Sequence, residues 1–214
     1  MRRARRIPLD ELQPYLLAVP ETPGYYDWTQ IFRNTYPVEI EVGFGKGLFL
    51  VTAAATRPVI NFVGIEVARK YQLFTATRLA KRALTNVRLA LADARIFLRD
   101  RVAADSCQAV HVYFPDPWWK KRHQKRRVFT AEFAVQCERV LAKGGRLHLA
   151  TDVAEYFTVM GELVSRHTQL VSAPSPEEKL PIHDMDYLTN FERKFRKQGK
   201  PIYRMRYERS EAAM

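Results

Sequence analysis

The run Val38-Glu-Ile-Glu-Val42 passes directly into Gly43-Phe-Gly45-Lys-Gly47 and then into the apolar stretch 48–55. Strand, glycine turn and helix follow one another without a spacer. A strand that turns at once into a helix brings the next strand back parallel to it, by a right-handed crossover. Glycines accept positive φ and let backbone approach a ligand, while the helix start offers N–H groups that lack partners. The spacing G-x-G-x-G differs from the G-x-G-x-x-G of dinucleotide folds, because Leu48 follows Gly47, and Glu41 stands just before the first glycine. That carboxylate disfavours a pyrophosphate and favours an ammonium or sulfonium group.

Downstream, strands and helices alternate. The second strand is expected at 61–67, with Glu66 about 20 residues past the glycine turn, where doubly wound folds hold the acid that binds ribose hydroxyls. A basic-faced helix is expected at 68–84, a third strand at 86–91, a helix at 94–99 and a fourth strand at 108–114. A helix at 130–141 is expected to stop at Gly144 and Gly145, and a fifth strand covers 146–150. Asp93 follows the third strand and suits the rim of an adenine pocket, or equally the N-cap of the next helix; Asp152 follows the fifth with the same two readings. The sum is a doubly wound α/β sheet with its ligand edge at the carboxyl ends of the strands. After a Pro-rich break at 172–181, Thr189 and Glu192 stand in the T-x-x-E relation of a capping box, with Phe191 and Phe195 four apart. A last strand is expected at 202–207. The first 36 residues, broken by Pro8, Pro14, Pro20 and Pro23, are expected to form a basic arm and lead-in to a single domain at 37–214, with Trp28, Ile31 and Phe32 on one short helical face.

Between the fourth strand and the helix at 130–141 lies HVYFPDPWWKKRHQKRR, residues 111–127. Pro115 ends the strand, and Asp116 sits on a stiff turn between two prolines at a strand's carboxyl end. From Lys120 to Arg127 the density of Lys and Arg is too high to neutralise within itself, so the segment meets water or an external anion. The whole chain leans the same way: 35 Lys and Arg against 23 Asp and Glu give a formal charge of +12, which favours nucleic acid or another anionic partner. Cys107 and Cys137 form neither a CxxC pair nor a disulfide framework, so a reducing compartment is expected. The five histidines lack partners at metal-ligand spacing, and neither an apolar span of membrane length nor a signal peptide is visible, so no metal, no membrane and a cytoplasmic place are expected. Monomer and homodimer both stay open.

EVGFGKG, GIEV, YFPDPWWKKRHQKRR, LATD and TNFERKF together resemble the bacterial tRNA (guanine-N7)-methyltransferases, of the class I S-adenosylmethionine-dependent fold, from about Val38 to Arg209. The resemblance implies a Rossmann-like, mostly parallel sheet with an antiparallel C-terminal strand. It implies S-adenosylmethionine as cofactor, held by Glu41, Glu66, Asp93 and Asp116 with the turn of Gly43, Gly45 and Gly47. It implies tRNA as partner, with substrate contacts at Lys120, Asp152, Thr189, Asn190, Phe191 and Glu192; the charge density of the basic loop leads us to expect Lys121, Arg122, Lys125 and Arg126 to contact its phosphates. The chain departs from the family at Trp119, where Pro or His is usual. The implied reaction is methyl transfer to guanine N7, at position 46 of the variable loop, with Asp116 beside the purine. N7 has a lone pair and no proton to lose, so no strong general base is needed.

Three other readings compete. A methyltransferase acting on an exocyclic amine carries Asp/Asn-Pro-Pro-aromatic, unlike Asp116-Pro117-Trp118-Trp119. A nicotinamide-dependent oxidoreductase needs the other glycine spacing. A non-catalytic RNA-binding protein has no need of Glu41, Glu66 and Asp116.

Overall fold

The structure, a computed structural model, describes residues 7–118, 122, 126–174 and 189–210. Its centre is an eight-stranded sheet in the order β1-β4-β3-β2-β5-β6-β8-β7. The strands are β1 (Leu16–Leu17), β2 (Val38–Val42), β3 (Asn61–Glu66), β4 (Val87–Leu91), β5 (Cys107–Tyr113), β6 (Leu141–Thr151), β7 (Val171–Ala173) and β8 (Tyr203–Glu208). Pairings from β1 to β6 are parallel, and β8 runs antiparallel to both β6 and β7. The sheet is therefore α/β and mostly parallel, with the antiparallel C-terminal strand that the sequence led us to expect.

Helices α3 (Leu48–Thr56) and α4 (Arg69–Ala80) cover one face; α5 (Ala94–Arg101), α6 (Ala131–Val140) and α7 (Ala154–His167) cover the other. Strand β2 explains why both faces need cover. Val38, Ile40 and Val42 enter the core on the α5–α7 side, while Glu39 and Glu41 point to the α3 side and are buried as well. Period-two alternation then gives a polar stripe beneath α3, and its Glu39 member is paired. Glu39 accepts from Arg57 at 2.6 Å and lies 2.9 Å from His111 Nε2, whose Nδ1 is 2.8 Å from the Tyr113 hydroxyl. A neutral imidazole protonated on Nε2 satisfies both contacts, donating to Glu39 and accepting from Tyr113. Burial pushes the Glu39 carboxyl up, but His111 and Arg57 outweigh it and hold it below the usual range.

One expectation is corrected. The glycine pair Gly144–Gly145 does not end a helix: α6 stops at Val140, and both glycines lie within β6, where the pairing skips from Cys107↔Leu141 to Ala109↔Arg146. A Cβ at Gly145 would sit 2.7 Å from the Ala142 carbonyl oxygen, so glycine is needed for the bulge. The N-terminal stretch adds an edge strand to the sheet. After a short helix α1 (Leu9–Leu12), Leu16 and Leu17 pair with Leu89 and Ala90, and the Arg101 guanidinium donates to the Pro20 and Thr22 carbonyls. Helix α2 (Trp28–Phe32) forms on the expected residues, capped by Asp27. Among the described residues no helix is long and apolar enough to cross a membrane.

Candidate functional site

A cavity of about 630 Å³ opens at the carboxyl ends of β2, β3 and β5, where the strand order reverses between β2 and β5. Open α/β sheets bind ligands at such a switch point. Its floor is the glycine turn. Gly43 continues the ladder by donating to the Ile65 carbonyl at 2.8 Å, and the chain then leaves the sheet through Gly43 (φ 72°) and Gly45 (φ 50°). A Cβ at either would meet no atom within 4 Å; both face open space in the cavity. Gly47 differs. It is absent from the cavity wall, and a Cβ there would lie 2.2 Å from Thr75 Cγ2, so packing against α4 demands this glycine.

Glu66 ties that turn down. Its Oε2 accepts from Gly45 N–H at 3.0 Å, and Oε1 accepts from Val67 and Ala68 at 2.9 and 3.0 Å. Three backbone donors leave roughly one of a carboxylate's four acceptor positions for a ligand. Glu41 is the reverse case. It lines the same cavity, is 3% exposed, and its Oε2 is buried without a hydrogen-bond partner. Burial first, then the Glu66 charge, pushes its carboxyl well above the ordinary range. Asp93 caps α5, by accepting from Arg95 N–H at 2.9 Å, and also lines the cavity. The Arg95 side chain grips both its oxygens and lowers its pKa.

The opposite wall begins where β5 stops. Phe114 takes a left-handed conformation (φ 54°) while its N–H still donates to the Ala150 carbonyl at 2.7 Å, and this bend delivers Pro115, Asp116 and Trp118 to the cavity. Asp116 is exposed there. Behind it, Arg127 donates from Nε to the Pro117 carbonyl at 2.6 Å and lies over the Tyr156 ring. One arginine of the basic block thus turns inward as a tether, which its sequence context conceals. Arg126 lines the cavity with its guanidinium 5.3 Å from the Trp118 ring centre; Arg122 is exposed and away from the wall. Trp119, Lys120, Lys121 and Lys125 lie outside the described residues.

The lip is the start of helix α8 (Asn190–Lys197), capped by Thr189, whose hydroxyl accepts from Glu192 N–H at 3.0 Å. Thr189, Asn190, Phe191 and Lys194 line the cavity. Phe191 is 48% exposed, and its ring rests 6.2 Å from both Phe114 and Phe195. Glu192 does not join them. Its carboxylate is buried against Arg196 at 2.8 Å and Arg204 of β8 at 2.6 Å, fastening the helix to the sheet. Asp152 is also away from the wall, 3.7 Å from Lys200. Lys46, Arg95, Tyr113 and Lys194 line the cavity without having been singled out from the sequence; for Tyr113, its place one residue from the end of a buried strand was the available signal.

A family model described as "Putative methyltransferase" matches residues 35–205. The tRNA (guanine-N(7)-)-methyltransferase of Rhodopirellula baltica is 42% identical over 208 residues, covering 94% of this chain and 77% of that one. The enzyme of the same name from Geobacter metallireducens is 33% identical, covering 92% and 93%. The chain belongs to the tRNA (guanine-N(7)-)-methyltransferase family. Solved structures extend the likeness at the level of fold alone: the 16S rRNA methyltransferase KamB superposes with a TM-score of 0.60 at 16% identity, covering 87% of this chain and 95% of that one. The resistance methyltransferase NpmB1 gives 0.58 at 18%, covering 84% and 91%. Every residue of this methyltransferase that lines the cavity, from Glu41 to Lys194, falls inside the matched span.

Proposed function

We propose that this methyltransferase transfers a methyl group from S-adenosylmethionine to N7 of a guanine in tRNA, at position 46 of the variable loop, acting in the cytoplasm. The observation that carries the reading is a single cavity joining the glycine turn, with its unpartnered Glu41 carboxyl, to Asp116 and the aromatic lip, in a chain of this family.

The residues present suit the cofactor. Gly43 and Gly45 leave room at their Cα atoms, and the buried oxygen of Glu41 lacks the donor or cation that an ammonium-bearing ligand supplies. Glu66 and Asp93, at the ends of β3 and β4, are suited to hydroxyl and amino groups. When bound, S-adenosylmethionine supplies an electrophilic methyl group on a sulfonium centre. The chain's own task is to orient the guanine. N7 has a lone pair in the neutral base, so no residue must remove a proton, and alignment alone is worth on the order of 7–11 kcal/mol of barrier. Asp116, exposed on its Pro115–Pro117 turn, is suited to accept from the N1 and N2 hydrogens of guanine and to stabilise positive charge spreading onto the purine. Adenine offers no such donors on that edge. Thr189, Asn190 and Phe191 form the lip against which the base would rest, while Arg122 and Arg126, with Lys120, Lys121 and Lys125 of the same loop, would meet the RNA.

The test is incubation of unmodified tRNA with labelled cofactor, followed by mapping of the methylated base. Label at another atom or another nucleotide sinks the reading. Asp116→Asn keeps the shape and removes the charge. Single-turnover methylation should slow by on the order of 10²-fold with tRNA affinity little changed, and raising the pH should not restore it.

A further inference from the structure

Between Glu66 and Asp93 the chain carries Arg69, Lys70, Arg78, Lys81, Arg82 and Arg88 and not one Asp or Glu. Most of that charge falls on α4 and the turn after it. Lys70, Phe74 and Arg78 succeed one another at four-residue intervals along one row of α4, and Arg82, in the turn that follows, continues it by donating to the Arg78 carbonyl. Lys70, Phe74, Lys81 and Arg82 are exposed, and Phe74, at 49%, is a large apolar ring left in water among cations.

This row runs into the lip of the cavity. The Arg78 guanidinium donates to the carbonyl of Lys46 at 2.6 Å, and Lys46, itself exposed, lines the cavity together with Lys194 of α8. Arg78 also lies close enough to Arg82 and to Arg193 of α8 for both charges, after burial, to depress its pKa. Two helices far apart in sequence thus bring like charges together beside one opening. Among the described residues no carboxylate comes within ion-pair distance of Lys46, Lys70, Arg78, Lys81, Arg82 or Lys194. Elsewhere on the same molecule arginines are matched: Arg57 with Glu39, Arg95 with Asp93, Arg146 with Glu208, Arg204 with Glu192. A convergent row of unmatched cations costs repulsion in the free protein and is relieved by a polyanion laid along it.

We propose that α4 and its following turn, from Lys70 to Arg82, form a second track for the sugar-phosphate backbone of the RNA substrate, separate in sequence from the basic loop at 120–127 and leading to the cavity at Lys46 and Lys194. The proposal rests on the reading of this protein as a tRNA methyltransferase and adds where the RNA lies. A small anion would need one or two of these cations; a row from Lys70 to Arg82, three helical turns long, fits an extended chain of regularly spaced charges. Phe74 gives the same row a flat apolar face on which a sugar or an unstacked base can rest.

The double variant Lys81→Gln/Arg82→Gln tests this while leaving the Arg78 contact with the glycine turn in place. In a filter-binding series with unmodified tRNA over a range of salt, the slope of log K against log salt should fall by roughly 1.4–1.8, two contacts at about 0.7–0.9 each. Binding of S-adenosylhomocysteine and the position methylated should be unchanged. A slope and affinity equal to the parent's overturn the track while leaving the tRNA reading intact. A parent protein that binds no tRNA overturns both. A variant that loses S-adenosylhomocysteine along with tRNA indicates damage to the cavity and counts against a separate track; Lys70→Gln, one end removed from the turn, must then still lower the slope or the proposal fails.

Discussion

Glu41 holds a buried carboxyl oxygen with no hydrogen-bond partner at the wall of the cavity, and its pKa is raised by burial and by the Glu66 charge. The free protein therefore keeps it protonated to higher pH than an ordinary glutamate. A bound ammonium favours the ionised form, so the pKa falls on binding and a proton is released. Between the two pKa values affinity must rise with pH, because the liganded state binds fewer protons. Calorimetry of S-adenosylhomocysteine binding in buffers of different ionisation heat should detect this release, and Glu41→Gln should abolish it; equal heats in all buffers contradict the assignment. Two glycines two residues apart divide in the same way. Gly45→Val fills open space in the cavity and should remove S-adenosylhomocysteine binding. Gly47→Ala drives a methyl into Thr75 and should instead lower stability, by about 1–3 kcal/mol, with the cavity still open. The reverse pattern in a thermal-shift and ligand-binding pair of measurements would mean the turn is misassigned.

At the scale of elements, helix α8 is a short amphipathic piece that carries the lip of the cavity. Its N-cap is local, from Thr189, and Phe191 and Phe195 lean on Phe114, but the tie to the sheet is Glu192, 4% exposed, between Arg196 and Arg204. Removing one charge from a buried network strands the others, at a cost of about 3 kcal/mol. Glu192→Gln should therefore free α8 to move as a unit. Hydrogen exchange of residues 189–208 should accelerate while β2 to β5 remain protected. Because Thr189, Asn190 and Phe191 form the cavity lip, methylation should fall although Glu192 itself faces away from the cavity. Unchanged exchange in α8 would show that the aromatic contacts alone hold it.

The molecule as a whole carries two histidines held neutral inside the sheet. His111 and His148 stack at 4.8 Å; burial lowers both, and His148, with His111, Arg206 and Arg146 adding to the effect and Glu39 opposing it, is pushed down to about 3. An unfolded histidine titrates near 6.5. Above that pH both states are neutral and stability is complete. Below it the unfolded chain takes up protons that the native state refuses, so stability falls as the pH drops below about 6.5, and for His148 the fall continues toward 3 at up to about 1.4 kcal/mol per pH unit. Urea midpoints measured from pH 7.5 down to 5 should decline along this limb. His148→Gln should make the decline shallower, and a decline as steep as the parent's would remove His148 from the account.

What the chain determines by itself is what is local. Val38–Val42 is a strand because apolar and acidic residues alternate there, it stops because glycines follow, and Pro115 ends β5 wherever the strand is placed. From such signals the succession of strands β2 to β6 and the acids Glu41, Glu66, Asp93 and Asp116 at the edge where the cavity opens were legible. Whether an acid at that edge reaches the cavity was decided by partners elsewhere in the chain. Glu192 turns away because Arg204 arrives with β8, Asp152 meets Lys200, and Gly47 is glycine on account of Thr75. Leu16 and Leu17 become a strand only because β4 offers an edge, and Gly144 and Gly145 serve a bulge because Cys107 and Ala109 set the register. Local propensity reports what one segment prefers, whereas a side chain's destination is set by pairing and burial against segments distant in sequence, and only the assembled sheet brings those together.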